Sequence, residues 1–162
     1  VILVVGRKVV YPTQGPCQID CLTERIIDGQ TRRFYRLALL DDGGGELLIP
    51  EEKVNKVGIR QLLNRSEIPK LLRHLKKTFK IADTWKQRAT DHLELLKSGS
   101  AFDLAEIVGS LTELRKRKGL SPAELRTLEK ARRLLACEIA EVMGETRREA
   151  EQQLDNILEA RK

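Results

Sequence analysis

The chain has 162 residues and is 41% hydrophobic, enough to bury a core in one ordinary domain or two small ones, which excludes disorder as its main state. A formal net charge of +6 points to a polyanionic partner, nucleic acid or an anionic membrane, rather than to an acidic small-molecule substrate. No apolar run approaches the roughly 20 residues that a membrane span needs, so a soluble, cytoplasmic protein is expected.

From Lys8 to about Pro50 the pattern is that of strands: short runs of Val, Ile, Tyr and Leu between turn residues. Strands are predicted near Lys8 to Tyr11, Gln18 to Ile27, Thr31 to Leu40 and Glu46 to Pro50. Tyr11-Pro12-Thr13-Gln14-Gly15 marks the first turn, Asp28-Gly29 a tight hairpin, and Asp41-Asp42-Gly43-Gly44-Gly45 a flexible connection. Cys17, Ile19 and Cys21 share one face at period two, as do Tyr35, Leu37 and Leu39, and these faces would close a miniature core. Cys17, Cys21 and Cys137 fall in no metal-binding or disulfide pattern and are expected to be core thiols.

After Gly58 the apolar period becomes helical and stays so. Ile68, Leu71, Leu72, Leu75 and Phe79 make one stripe; Trp85, Ala89, Leu93 and Leu96 make the next. Leu104, Ala105, Val108 and Leu111 define a third helix, beginning after Ser98-Gly99-Ser100 and ended by Lys118-Gly119. Ser121-Pro122-Ala123-Glu124 combines an N-cap serine, proline at the first helical position and a glutamate three residues after the cap, which starts a fourth helix running to Gly144. Thr146 to Glu149 repeats the capping pattern before a last stripe of Ala150, Leu154, Ile157 and Leu158. The whole reads as α+β: a strand-rich domain over residues 1–65 and a compact all-α domain of about five helices over 66–162.

The charge is concentrated in two places. Lys70 to Arg88 holds seven basic residues against Asp83 alone, and Arg115 to Arg133 holds eight against Glu124 and Glu129. Two basic surfaces with Trp85 inside the first suit phosphate contact plus one stacked or inserted aromatic, and Lys86, Arg88, Arg132 and Arg133 are the candidate contacts beside Trp85. Solvated faces that serve solubility would carry the same charges. Spacing alone makes Trp85 a core anchor, but its place after Asp83-Thr84, on the first turn of a helix, would let it reach outward. His74 and His92 have no local nucleophile partner, Gly43 to Gly45 lacks the lysine of a phosphate-binding loop, and the acids form no metal pattern. Neither catalysis nor a cofactor or metal is expected.

These residues resemble one family: the bacterial regulators CarD and CdnL, whose N-terminal domain also occurs in the transcription-repair coupling factor. The resemblance rests on Val9-Val10-Tyr11-Pro12 with Gly15, Leu48-Ile49-Pro50, Val57-Gly58-Ile59-Arg60, Trp85 with Arg88, Leu96-Lys97-Ser98-Gly99, Leu104-Ala105-Glu106-Ile107-Val108, Lys118-Gly119-Leu120-Ser121 and Ala131-Arg132-Arg133-Leu134-Leu135. It implies a Tudor-like or SH3-like N-terminal barrel that adds a strand to the RNA polymerase β subunit, with Arg25, Leu37, Leu48 and Pro50 at the contact. Pro50 cannot donate to a ladder, which suits an edge. It also implies that the helical domain meets promoter DNA at the upstream edge of the −10 element, Trp85 wedging into the minor groove and stabilising the open complex in the nucleoid. Members commonly follow the tryptophan with two arginines, an aromatic and another basic residue, where this chain has Lys86, Gln87, Arg88, Ala89 and Thr90. That departure leaves open a second role, an adaptor whose helices recruit another regulatory protein instead of DNA.

Overall fold

The computed structural model describes residues 3–41 and 43–160, so Asp42 of the glycine-rich loop lies outside the described residues. Two compact units divide the chain at Leu62/Leu63. The first is an antiparallel five-stranded sheet in the order β4-β3-β2-β1-β5, with β1 at Lys8–Tyr11, β2 at Gly15–Ile27, β3 at Gln30–Leu39, β4 at Glu46–Pro50 and β5 at Arg60–Gln61. Four strands stand where alternation puts them. The fifth corrects that count: at two residues it is too short to carry a period, and only its pairing of Val9 with Gln61 and Val10 with Arg60 defines it. A short helix α1, Val54–Val57, links β4 to β5 and adds Val54 to a core of Val9, Cys17, Ile19, Leu37, Ile49 and Ile59. Burial pushes the Cys17 thiol up to about 11, so it stays protonated and inert.

Asp28 and Gly29 take positive φ of 52° and 76° between paired Ile27 and Gln30, the geometry that matches a tight hairpin to strand twist. β4 pairs only with Phe34 to Ala38, so the β2–β3 hairpin runs past it as a two-stranded ribbon. A bulge between Ile19 and Cys21 corrects one expectation. With Asp20 as the extra residue, Cys21 pairs with Arg36 rather than following Ile19 into the core, and it is half-buried on the other face.

The second unit holds α2 (Ile68–Leu75), α3 (Trp85–Ser98), α4 (Ala101–Lys118), α5 (Pro122–Met143) and α6 (Arg147–Ala160). The Ser121–Glu124 capping box forms with Pro122 at the first helical position, and Gly144 closes α5 in the left-handed region. Leu71, Leu75, Leu111, Leu128, Leu135 and Leu154 all lie in one buried cluster, as their spacing predicts. The first stripe ends at Leu75 and not at Phe79: the helix stops, and Phe79 sits edge-on to His74 at 5.3 Å. Inside this unit the fully buried Glu138 accepts a hydrogen bond from the Leu63 backbone N–H at 3.0 Å. A carboxylate this buried is retained because it has partners.

Candidate functional site

β4 is an end strand, so one side of its backbone carries no neighbouring strand among the described residues. On that strand Ile49 points into the core, while Leu48, 42% exposed, stands opposite Arg36 on the outer face together with Pro50 and Phe34. An apolar residue beside an open edge is the arrangement that strand addition uses. Arg25 is exposed on the hairpin, opposite Arg32, and is not part of that strip. Leu37 is a correction: it is 0% exposed, on a strand paired on both sides, so its side chain packs the core and cannot touch a partner. Sequence reasoning passed over Ile26 and Ile27, both exposed at the hairpin tip, because they continue the apolar alternation of a strand.

The start of α3 is the second candidate. Thr84 caps the helix by accepting from the Gln87 N–H at 3.2 Å, which sets Trp85 at the first helical position. Trp85 is 66% exposed, with the Lys86 Nζ 5.8 Å from its ring centroid. The predicted apolar stripe is turned outward: Trp85, Ala89 and Leu93 face solvent, and only Leu96 is half-buried. What faces inward is Arg88, 7% exposed, and His92, 8% exposed. Period locates a face but not its direction, and Arg88 and His92 have the same spacing as Ala89 and Leu93.

Arg88 is therefore also a correction as a phosphate contact. Its Nε donates to Glu124 Oε2 at 2.9 Å, and its Nη1 donates to the carbonyls of Ala82 at 3.2 Å and Asp83 at 3.1 Å. Burial would raise the Glu124 carboxyl, but the Arg88 and Ser121 hydrogen bonds outweigh it and hold that carboxyl below its ordinary range. Burial lowers the His92 imidazole below its ordinary value, against the pull of Glu124 and Asp91. Arg132 is spent in the same way: it forks onto Asp155 at 2.8 and 3.1 Å and reaches Glu151 at 3.9 Å, joining α5 to α6. Its guanidinium is thus committed within the fold. Arg133 and Lys86 both lie at the surface.

The Arg88–Glu124 bond has a geometric consequence. It holds the start of α3, which carries Trp85 and Lys86, against the start of α5, which follows the basic end of α4 at Lys118 by one short turn. Among the described residues, no group of three His, Cys, Asp or Glu is arranged to hold a metal ion, and no helix is long and apolar enough to cross a membrane.

A family model of the CarD C-terminal domain matches residues 67–155, and one of the CarD-like/TRCF RID domain matches residues 3–63. The chain belongs to the CarD family. YdeB of Bacillus subtilis strain 168, a candidate transcription factor, is 24% identical over 150 residues, which cover 90% of this chain and 95% of YdeB. The solution structure of the 72-residue N-terminal domain of Myxococcus xanthus CarD is 34% identical, covering 36% of this chain and 77% of that domain with a TM-score of 0.31. CarD-family membership assigns the chain to transcription regulation linked to RNA polymerase, and the family is one of regulators, not a known class of enzyme.

Proposed function

We propose that this CarD-family protein bridges RNA polymerase and promoter DNA and stabilises the open complex. The N-terminal unit, read as a Tudor-like domain, adds the free edge of β4 to a sheet of the β subunit, with Leu48 and Pro50 seated on the partner and Arg25 reaching it from the hairpin. The helical unit contacts DNA at the upstream edge of the −10 element. Lys86 and Arg133 meet phosphates, and Trp85 enters the minor groove where bases are unstacked. A wedge that fits only opened DNA favours that state over the closed one. The protein works without a cofactor, in the cytoplasm on the nucleoid.

The observation that carries this reading is the outward placement of Trp85: a large aromatic 66% exposed on the first turn of a helix, where a core role would bury it. The test is a two-component binding assay of the full chain with a β-subunit fragment, followed by open-complex lifetimes with and without the protein. Binding to the fragment and a longer lifetime are expected. Absence of both rejects the reading.

One observation favours a second reading, an adaptor that recruits another regulatory protein. The outward stripe continues from Trp85 through Ala89 to Leu93, itself 51% exposed, about 12 Å along the axis and farther than a single wedged base step requires. Leu93→Ser separates the two: the adaptor reading predicts lost recruitment with the open-complex effect unchanged.

A further inference from the structure

The first half of α3 is held to its unit in an unusual way. Its apolar residues Trp85, Ala89 and Leu93 face solvent, and the residues it buries are Arg88 and His92. Apolar packing begins only at Leu95 and Leu96, so burial of hydrocarbon anchors the C-terminal half and leaves the N-terminal half to polar bonds.

Those bonds converge on one guanidinium. Arg88, three residues after Trp85, donates to the carbonyls of Ala82 and Asp83, which precede Trp85 in the chain, and to Glu124 on α5. The tryptophan therefore sits on a short stretch of backbone gripped on both sides and tied to a second helix. Glu124 divides its two oxygens between two tasks: Oε1 accepts from the Ser121 N–H and hydroxyl in the capping box, and Oε2 accepts from Arg88. We propose that Arg88 and Glu124 are positioning residues, a clamp that fixes the start of α3 on the start of α5 and so determines where Trp85 stands. The clamp deepens the DNA reading, since its consequence for the open complex rests on Trp85 acting there; its effect on Trp85 itself does not.

Glu124→Gln isolates the clamp. Glutamine can keep the capping box through its one oxygen, but it then turns an NH2 donor toward Arg88, where no bond can form. Trp85 is the chain's single tryptophan, so its fluorescence in the free, full-length protein comes from this turn alone, and time-resolved anisotropy separates the local motion there from overall tumbling. Glu124→Gln and Arg88→Gln should each lower that anisotropy, because losing a charged hydrogen bond raises the detached population roughly tenfold or more. Both should shorten the open-complex lifetime toward that of Trp85→Ala. Ser121→Ala, which loosens the cap but spares Oε2, should lower the melting temperature and leave the anisotropy unchanged. Unchanged anisotropy in both clamp variants, or a fall in melting temperature without a selective change at Trp85, overturns the clamp. If the anisotropy falls but Trp85→Ala has no effect on open-complex lifetime, the clamp stands and the DNA reading fails.

Discussion

Leu48→Asp separates partner binding from folding, and the structure gives the size of each effect. Leu48 is already 42% exposed on the outer face of β4, so the fold loses only a fraction of the roughly 1.5–3 kcal/mol that full burial of a leucine provides. The new carboxylate would stand directly opposite Arg36 in the β3–β4 register, an opposite-charge pair that returns a few tenths of a kcal/mol or more. The sheet should therefore fold with a melting temperature close to that of the unsubstituted chain. Binding should not survive: carrying a charge into an apolar contact costs about 3 kcal/mol or more, which is over a hundredfold in affinity. The assay is titration of the full chain with a β-subunit fragment by calorimetry, paired with thermal melts. Affinity within about threefold of the original would refute the assignment of β4 as the docking edge. Leu37→Asp is the contrasting control, because a carboxylate at a fully buried site of the central sheet should unfold the unit instead.

Leu135→Ala, at a position fully buried among α4, α5 and α6 residues, should cost about 2–5 kcal/mol in chemical denaturation; a loss under about 0.5 kcal/mol contradicts the core described. Acidification should destabilise the helical unit in two stages. Below the ordinary imidazole value of 6.5 the unfolded chain takes up a proton that buried His92 resists, and below the ordinary carboxyl value of 4.5 the contribution of Glu124 is lost as pH falls through its lower folded value. Melts from pH 8 to 4 should show the first stage in the original chain and not in His92→Gln; a flat profile between pH 7 and 5 would count against it. Lys86→Gln and Arg133→Gln should each flatten the salt dependence of DNA binding by roughly one unit, whereas Arg132→Gln should leave the slope alone and lower the melting temperature, since its charge is committed to Asp155 and Glu151. Equal slopes for all three variants would mean that the basic surface has been drawn wrongly.

Features written in neighbouring residues were legible in the sequence. The Asp28-Gly29 turn and the Ser121–Glu124 capping box each need only a few adjacent side chains, and both stand where they were expected. The leucine stripes of α2, α4, α5 and α6 found the helical core because each repeats over several turns. Features set by distant partners were hidden. The bulge at Asp20 and the two-residue β5 depend on what lies across the sheet. Arg88 looked like a phosphate contact because its carboxylate partner lies 36 residues away, and Arg132 because Asp155 lies 23 residues away. The outward turn of α3 was hidden for a related reason: its inward face is polar, and amphipathic reasoning assigns polar faces to water.

In the proposed function one chain holds polymerase through β4 and opened DNA through Trp85. Its most direct measurement is the lifetime of the open complex at a single responsive promoter with the original chain, Leu48→Asp and Trp85→Ala. Trp85→Ala should retain binding to the β-subunit fragment and its thermal stability yet lose most of the lifetime gain, and Leu48→Asp should lose both binding and gain. A Trp85→Ala protein that lengthens the lifetime as fully as the original would contradict it.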